Sequence, residues 1–520
     1  MAPTGGPTPS QRTALEATAL ANASWGLPVM NVTWFDSSFC IHRPCALVND
    51  IGERHPRYPV WWHFFVWNAS ADSWDSAPYG PSDTVLMDGA AIAWYLAIDD
   101  PVTFAAPRPA PRPDLRDVQV SFRGDLTNAG SAHGSIPVTN HVRWDVDIGV
   151  KEIDTTPIAA YGNLYVATRS ALVALDASTG RQVWRNTDVH DLLSTPALYD
   201  GHLVLGGTDG RLHYVDAYNG TETWRILLEP GARSSGIASS PAVYMGRAYV
   251  GTFNESAGGM GRVAAVNLNN GTLAWSYETA SVHLSQPAIA RGALYVGIMG
   301  AYDGTVGYSA PYGILSLSLD GVLNWFYPTN GPVASSPVVA ANRIFVPSQD
   351  GFLYALNTDG RLAWTLQIGA ATSSAAWAGD RLFVATGALG SSGKILAFDA
   401  EGNRAWEADA GGGMEASLVS DGKLVCGSIN VANGAIVCVH AIDGSPAWTY
   451  TPAPPNFILG SPSVIGNSMY APSDNGHVYA FGPASPADST GLWVAGTIIV
   501  TVAATAAAVL VWRRRRSGLA

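Results

Sequence analysis

The chain has 520 residues, of which 47% are hydrophobic and only 13% carry a charge, and its formal net charge is −12 at pH 7. A chain of this length can bury a sizeable core and hold more than one domain. No basic surface is evident to attract phosphate groups, so this composition argues against a nucleic-acid partner and favours a β-rich extracytoplasmic protein.

Residues 8–104 are predicted to form a small α+β domain. The stretch "SQRTALEATALANA" has helical spacing, and the strand-like segments "VMNVTWF", "VWWHFFVWN" and "AIAWYLAI" follow it. The aromatic strand and the hairpin after it resemble the carboxy-terminal β domain of transcobalamin-type cobalamin carriers. The residues that carry this resemblance are Trp61, Trp62, Phe65, Val66, Asp88, Gly89 and Trp94. The resemblance implies a ligand-binding role, and a purely structural aromatic core is the alternative.

Residues 105–137 are predicted to be a linker and lead-in. The linker begins with "AAPRPAPRPD", whose prolines favour a semi-rigid extended spacer. The lead-in contains "SFRGDLTNAG", residues 121–130, just before the repeats begin.

Residues 138–482 contain a repeat that ends each time in a tryptophan. The spacing between successive tryptophans is 39 to 51 residues, which is close to the period of a four-stranded propeller blade. A tryptophan offers a large apolar area and one N–H group, so one such residue in each blade can dock that blade against its neighbour. The predicted blade tryptophans are Trp144, Trp184, Trp224, Trp275, Trp325, Trp364, Trp406 and Trp448.

A second landmark is a short strand start, such as "SSPAV" or "SSPVV", which occurs once in each repeat. Proline has no N–H to give to a sheet, so it is tolerated at the first residue of a strand. There are eight such starts but only seven tryptophans after them, and Trp144 precedes the first start. The pattern predicts an eight-bladed β-propeller whose last blade takes its outer strand from the Trp144 segment.

The repeat "GPVASSPVVAANRIFVPSQDGFLYALNTDGRLAW" and the lead-in resemble those of the pyrroloquinoline quinone (PQQ)-like propellers. This family includes quinoprotein dehydrogenases as well as cofactor-free scaffold proteins of the bacterial envelope. In the enzymes, the resemblance implies a disulfide between adjacent cysteines, a calcium ion held by Glu and Asn, and an Asp base. This chain has no adjacent cysteines and no haem-attachment motif, so no cofactor is expected, and PQQ with calcium is disfavoured.

The four cysteines are predicted to form two pairs. Cys426 and Cys438 flank a turn, where they can face each other across a hairpin, and Cys40 and Cys45 can close a small loop. Zinc binding by the second pair with His42 fits no strong ligand pattern, and no metal site is predicted.

Residues 491–512 form an uncharged stretch that is predicted to be a transmembrane helix. At about 1.5 Å per residue, 22 residues of helix cover about 33 Å, which is enough to cross a bilayer. A stem at 483–490 precedes it, and the basic tail at 513–520 begins with four arginines. The positive-inside rule places this tail in the cytoplasm and the propeller outside.

That orientation requires export, and the first residues show no basic region followed by an apolar one. Two expectations remain open. Either the natural protein starts upstream of residue 1, or the chain inserts by its tail with its body in the cytosol. The four arginines favour the first.

Two groups of residues are candidates for ligand or partner contact. The third and fourth repeats are about ten residues longer than the others, and they carry the extra residues on loops expected to be neighbours. From the fourth repeat, the candidates are Tyr302, Asp303, Tyr308 and Tyr312, since tyrosine gives rigid amphipathic contact area. A second set precedes the strand starts and can ring the central mouth, or form a solvated rim: Glu152, Asp154, His190, Asp191, Arg233, His283 and Glu415.

These observations predict a single-pass membrane protein that binds a ligand or other envelope proteins through its propeller. No catalytic residues are identified, because no nucleophile, base and orienting acid occur in a recognisable context. A quinoprotein-like alcohol or sugar dehydrogenase is the alternative.

Overall fold

The computed structural model describes the C-terminal part of the chain residue by residue and seven N-terminal strands by their backbone. The fully described residues are 121–483, except for gaps at 231–234, 257, 305–306 and 388–390 and for the side chain of His133. The predicted transmembrane segment, the basic tail, most of the stem, Cys40 and the side chain of Cys45 therefore lie outside the described residues.

Residues Met1–Asp114 form a compact unit separate from the rest of the chain. Its described strands are Arg12–Thr13, Met30–Phe35, Cys45–Ile51, Val60–Asn68, Ser73–Ser76, Val85–Leu86 and Ile92–Ile98. Val60–Asn68 lies between Ser73–Ser76 and Ile92–Ile98 in a three-stranded sheet, so the three strand-like segments of the sequence are confirmed. The helix predicted at residues 10–23 overlaps the short strand Arg12–Thr13, and the rest of that stretch lies outside the described residues.

The C-terminal unit contains the eight predicted sheets, each built on four antiparallel strands. We number them as blades 1 to 8 and give the strands of each blade from the innermost to the outermost. Blade 1 is Ile158–Ala160, Asn163–Ala167, Leu172–Asp176 and Gln182–Asn186; blade 2 is Ala197–Tyr199, His202–Gly206, Arg211–Asp216 and Glu222–Leu227; blade 3 is Ala242–Tyr244, Arg247–Gly251, Gly261–Asn267 and Thr272–Thr279; blade 4 is Ala288–Ala290, Ala293–Ile298, Gly313–Ser318 and Leu323–Pro328. Blade 5 is Val338–Ala340, Arg343–Pro347, Phe352–Asn357 and Leu362–Gln367; blade 6 is Ala376–Ala378, Arg381–Ala385, Lys394–Phe398 and Arg404–Asp409; blade 7 is Val419–Ser420, Leu424–Ser428, Ile436–His440 and Pro446–Tyr450.

Blade 8 joins the two ends of the repeat region. Its strands Ser463–Gly466, Ser468–Pro472 and His477–Phe481 come from the end, and its outermost strand Val142–Asp147 comes from the beginning. Ala480 lies opposite Trp144 in this pairing. The predicted closure by the Trp144 segment is therefore confirmed, and the edge that blade 8 would otherwise expose is covered.

The tryptophans dock each blade on the next, as the sequence predicts. Each indole Nε1 donates a hydrogen bond of 2.8–3.3 Å to a backbone carbonyl of the following blade or, for Trp448, of the last lead-in residue, just before the outermost strand of blade 8. In blade order from Trp144 onward, the acceptors are Ala177, Ala217, Leu268, Leu319, Thr358, Ala400, Ala441 and, for Trp448, Pro137. A glycine in a turn of the following blade packs against the indole, as Gly444 does against Trp406. A Cβ at Gly444 would lie 2.5 Å from the Trp406 ring, and its φ of +73° also favours glycine.

The residues before the strand starts form a second connection between blades. The Ser374 hydroxyl accepts a hydrogen bond from the Ser336 backbone amide at 2.9 Å. The Ser417 hydroxyl accepts one from the Ser374 amide at 3.1 Å. The same bond links Thr156 to Thr195. The Ser in the Ser-Pro element thus holds neighbouring blades together around the axis, while Pro starts the strand.

The lead-in segment crosses the ring beside the innermost strands of blades 4 to 8. Its carbonyls at Leu126, Thr127, Ala129 and Gly130 accept amides of blades 4, 5, 6 and 7 in turn, at 2.6–3.1 Å, and the Ser135 amide donates to a carbonyl of blade 8 at 2.7 Å. These contacts lie on the side of the hairpins between the first and second strands of the blades. The lead-in therefore forms part of the ring.

Two side chains fix the lead-in. The buried guanidinium of Arg123 donates to the carbonyls of Leu418 and Ala375, and burial lowers the pKa of Arg123 to about 10. Asn128 exchanges hydrogen bonds with Gln286, whose amide nitrogen donates to Asn128 Oδ1 at 2.7 Å.

The core consists of apolar clusters between adjacent blades; one of them packs Trp144 and Ile465 of blade 8 against Val166 and Val173 of blade 1. Cys426 and Cys438 lie opposite each other on neighbouring strands of blade 7 and form a disulfide, as predicted.

Candidate functional site

The central channel contains a small cavity beside the lead-in segment. This cavity of about 80 Å³ is lined by the residues that precede the innermost strands of all eight blades. Phe122 of the lead-in also lines it, together with Thr156, Leu284 and Leu459. The lead-in crosses the ring on the side of the hairpins, and the loops between the second and third strands of the blades lie on the opposite side. We call that opposite side the loop face.

An acidic group lies on the loop face where blades 8 and 1 meet. Asp154 and Glu152 share Arg169, whose Nη2 lies 3.1 Å from Asp154 Oδ2 and whose Nε lies 3.7 Å from Glu152 Oε2. Asp474 is buried beside them, and burial together with the Asp154 carboxylate raises the pKa of Asp474 to about 6. Burial also raises the pKa of Asp154, against the opposing effect of Arg169.

Glu415 lines the channel from blade 7, and a neighbouring loop supports it. Asn430 Nδ2 donates to Glu415 Oε2 at 2.5 Å. Asp154 and Glu415 are thus the two carboxylates of the predicted mouth set that line the cavity, on blades separated by blade 8.

The insertions of blades 3 and 4 meet on the loop face, as the repeat lengths predict. Each insertion lies between the second and third strands of its blade, and Gly259 of blade 3 pairs with Tyr302 of blade 4 in a β-bridge. The Gly258 amide donates to the Tyr302 carbonyl at 2.8 Å. Within blade 4, Ala301–Tyr302 and Tyr308–Ser309 form a small hairpin. We call this joined surface the blade 3–4 patch; its described parts are 253–256, 258–260, 300–304 and 307–312, together with His283.

Aromatic side chains cover the blade 3–4 patch. Tyr302 and Tyr308 meet edge to face with ring centroids 5.6 Å apart, and Tyr312 Oη donates to the Tyr308 carbonyl at 2.7 Å. His283 lies between Phe253, at 4.5 Å, and Tyr308, at 6.4 Å. The predicted residues Tyr302, Tyr308 and Tyr312 are therefore brought together, and Asp303 lies on the same hairpin loop.

Glu255 is the charged centre of the patch. Its Oε1 accepts a hydrogen bond from Tyr308 Oη at 2.9 Å and lies 3.8 Å from His283 Nε2. Burial lowers the pKa of His283 in spite of the neighbouring Glu255 carboxylate. Burial and the bond to the Glu255 carboxylate raise the pKa of Tyr308, so the phenol stays protonated and acts as a donor.

The other predicted mouth residues do not join one cluster. His190 Nδ1 and Asp191 Oδ2 form an exposed pair at 2.8 Å, and neither lines the channel cavity. His283 belongs to the blade 3–4 patch, and Arg233 lies outside the described residues.

Blade 2 contains a buried histidine that sequence reasoning passed over. His213 Nδ1 lies 2.6 Å from Glu222 Oε1, and its Nε2 lies 3.5 Å from Asp209 Oδ1. Burial alone would lower the pKa of His213, but the two carboxylates outweigh this effect and raise it. This arrangement is an internal ion cluster of the fold.

Sequence reasoning also missed Glu255, Asn430 and Asp474. Each lies in a loop between the second and third strands of its blade, which is the loop class that the insertions had already indicated. Asp474 and Asn430 each keep a buried side-chain oxygen without a hydrogen-bond partner among the described residues. The repeat lengths point to the loops between the second and third strands, but they do not show which side chains in those loops are buried.

Two kinds of feature do not occur among the described residues, a membrane-spanning helix and a metal-binding group of side chains. In the part of the chain that the structure describes, no helix is long and apolar enough to cross a membrane. Over the same residues, no three His, Cys, Asp or Glu side chains are grouped so that they could hold a metal ion.

Comparison with protein families gives one match that covers most of the chain. The PQQ_2 model, described as outer membrane protein assembly factor BamB, matches residues 137–297, 295–485 and 391–510. The assembly factor BamB of Yersinia pestis is 25% identical over 338 residues, which are 62% of this chain and 70% of that protein.

Quinohemoprotein enzymes match over a shorter length. The alcohol dehydrogenase ADH IIB of Pseudomonas putida is 28% identical over 149 residues, and the match spans 26% of this chain but only 22% of the enzyme. The solved structure of quinohemoprotein alcohol dehydrogenase ADHIIG from Pseudomonas putida HK5 superimposes with a TM-score of 0.61 at 16% identity, covering 71% of this chain and 81% of the enzyme. This structural similarity concerns the fold alone.

Proposed function

Because this chain belongs to the PQQ_2 family of the outer membrane protein assembly factor BamB, we propose that it is an envelope scaffold that binds other envelope proteins through its loop face. The observation that carries this proposal is the blade 3–4 patch. A propeller needs only short turns between its second and third strands, so the ring itself does not require these two insertions. Their β-bridge joins them into one surface. Half-buried tyrosines cover that surface, which is the composition of protein contact sites.

The dimensions of the channel support a scaffold over a quinoprotein. Pockets that hold a cofactor or a drug-sized ligand are typically about 300–1,000 Å³. The cavity of about 80 Å³ along the axis is far smaller than a tricyclic quinone requires. The disulfide of this propeller joins Cys426 to Cys438 within the sheet of blade 7, whereas the resemblance implies adjacent cysteines at the quinone. The residues present therefore do not fit PQQ.

We also propose that residues 491–512 anchor the propeller to the membrane and that the tail at 513–520 is cytoplasmic. The support is the length of the uncharged stretch and the four arginines after it. The N-terminal unit would then be a second binding domain outside the cell membrane.

Replacement of residues 302–313 by an Asn-Gly turn tests the scaffold proposal. A photo-reactive amino acid at Tyr302 of the unaltered protein should cross-link in intact cells to a defined envelope protein. The same probe at exposed Tyr218 of blade 2 is the control and should not capture that protein. The turn variant should keep its melting temperature and lose co-purification of the captured protein. Retained co-purification would reject the patch as the contact surface, and a large loss of stability would show that the insertion holds the fold together.

Protease treatment of intact cells tests the anchoring separately. With an export signal added to the N-terminus, external protease should digest the propeller and spare an epitope fused after Ala520. Protection of the propeller with loss of the epitope would mean that the orientation is reversed.

For the dehydrogenase alternative, the measurement is quinone absorbance and calcium content after reconstitution with PQQ. Stoichiometric uptake together with alcohol oxidation would favour the enzyme over the scaffold.

A further inference from the structure

Among its described residues, the blade 3–4 patch combines aromatic rings with acidic groups and contains no Lys or Arg, while burial lowers the pKa of its one histidine, His283. Residues 253–261 and 300–313 contain Glu255 and Asp303 and neither Lys nor Arg. The nearest arginine in sequence, Arg262, is engaged elsewhere, because its Nε lies 3.1 Å from the buried carboxylate of Glu229. Glu255 therefore brings a negative charge to an aromatic surface.

The charge of Glu255 has no cationic partner among the described residues. Its two polar neighbours are the Tyr308 hydroxyl, which is neutral, and His283, whose pKa is lowered by burial. The Glu255 side chain nevertheless keeps 34% of its surface exposed. A carboxylate held in place by a tyrosine and open to solvent is available to an incoming cation.

The aromatic rings next to Glu255 add a second attraction for a cation. Tyr302 and Tyr308 are half-buried and meet edge to face, so their rings are held in fixed orientations. The face of an aromatic ring carries negative potential and attracts Lys ammonium or Arg guanidinium groups at distances up to about 6 Å. In the same small hairpin, the backbone turns at Gly304 and Gly307 have positive φ.

We propose that the blade 3–4 patch binds a basic segment of the partner protein, with a Lys or Arg side chain held beside Glu255 and over the rings of Tyr302 and Tyr308. This inference rests on the proposed scaffold function and specifies the chemistry of the partner. A basic partner segment is expected from charge complementarity, because Glu255 is negatively charged and the whole chain carries a net charge of −12.

Synthetic peptides test this inference on the full-length protein. The probe is a fluorescent nine-residue peptide of alternating lysine and glycine, compared with peptides in which glutamine or glutamate replaces every lysine. The lysine peptide should bind most tightly at low salt and should lose affinity as salt is added, since the contact is partly exposed.

Substitutions then locate the binding. Glu255→Gln removes the charge but keeps an oxygen that accepts from Tyr308, and it should weaken the lysine peptide by about twofold to fivefold. Tyr302→Ala should have an effect of similar size. The matched controls are Glu401→Gln in the outer turn of blade 6 and Tyr218→Ala in blade 2, which should change nothing.

Equal binding of the lysine peptide by wild type and Glu255→Gln would overturn the inference, because it would mean that the peptide is attracted by net charge alone. Equal affinity for the lysine and glutamine peptides would overturn it as well. If Tyr302→Ala fails to fold by circular dichroism, Glu255→Gln decides the question by itself. Neither negative result touches the scaffold proposal, which is decided by the cross-linking and turn-replacement experiment.

Discussion

The joint between blades 8 and 1 allows a quantitative test of ring closure, because two donors there share one acceptor. Trp144 Nε1 and Tyr470 Oη each donate to the Ala177 carbonyl at 3.1 Å. Trp144→Phe should cost about 1 kcal/mol, since the carbonyl keeps its second donor. Tyr470→Phe should cost about 0.5–1 kcal/mol for the same reason.

The double variant should cost more than the sum of the single ones. It leaves the carbonyl without a protein donor, and an unsatisfied buried acceptor costs about 1–3 kcal/mol. Ala177 is only half-buried, so water can restore part of this loss. We therefore expect a coupling energy of about 1 kcal/mol in the double-mutant cycle.

Blade 1 provides the matched control cycle. Tyr165 occupies the same place in its blade as Tyr470, with its ring 6.0 Å from that of Trp184. The buried Tyr165 hydroxyl has no hydrogen-bond partner among the described residues, while Trp184 alone donates to Ala217. The cycle Trp184→Phe with Tyr165→Phe should be additive. Urea unfolding followed by tryptophan fluorescence measures both cycles, and a coupling within about 0.3 kcal/mol at the Trp144 joint would refute the shared-acceptor reasoning.

Three other perturbations should have defined effects. His213 has a pKa raised by Asp209 and Glu222, so its contribution to stability is complete below about pH 6.5 and is lost as the pH rises through the raised value; the wild-type melting temperature should fall over that range relative to His213→Gln. Deletion of residues 139–147 removes the outer strand of blade 8, and the exposed edge should give aggregates by size-exclusion chromatography, whereas a monomer with unchanged melting would rule out closure by this strand. Reduction of the disulfide, which spans 12 residues of sequence, should destabilise the protein by about 2–4 kcal/mol, measured as a lower urea midpoint with dithiothreitol than without it.

Most of the ring could be predicted from sequence because its connections repeat. The spacing of the tryptophans predicts the length of each blade. Trp144, which precedes the first strand start, predicts that the first outer strand closes the last blade. Each of these depends on spacing along the chain, which is visible without coordinates. The pairing of Cys426 with Cys438 was predictable for the same reason, since both lie on strands joined by one turn.

The place of the lead-in was not predictable, because this segment has no period. Residues 121–136 are held by backbone bonds to successive blades, and a backbone bond leaves no mark on residue type. One residue in the repeats does mark the position of the lead-in. The position before the strand-start proline is Ser or Thr in most repeats, but in blade 4 it is Gln286, which turns its side chain to Asn128 of the lead-in.

The candidate site was predictable in position and not in composition. The longer repeats located the blade 3–4 patch, but Glu255 became its charged centre only through the short distance to Tyr308. His283 was expected at the channel mouth from its place before a strand start. Contact with Phe253 places it in the patch instead, because an imidazole beside two aromatic rings is better shielded from water than one at an open rim.

The same lead-in that could not be predicted explains why the candidate contacts lie on one face. Its segment crosses the ring on the hairpin side, and Phe122 lines the cavity. Removal of the lead-in would leave amides of blades 4 to 7 without their acceptors and the carbonyls of Leu418 and Ala375 without their Arg123 donor, so this side helps to hold the ring together. The loops of the opposite face also bond neighbouring blades, since the Val282 amide of blade 4 donates to the Thr252 carbonyl of blade 3 at 2.9 Å, but the residues between such bonds can vary in number. Two adjacent insertions there enlarge the surface, and Trp224 and Trp275 still dock blades 3 and 4 as in the other repeats.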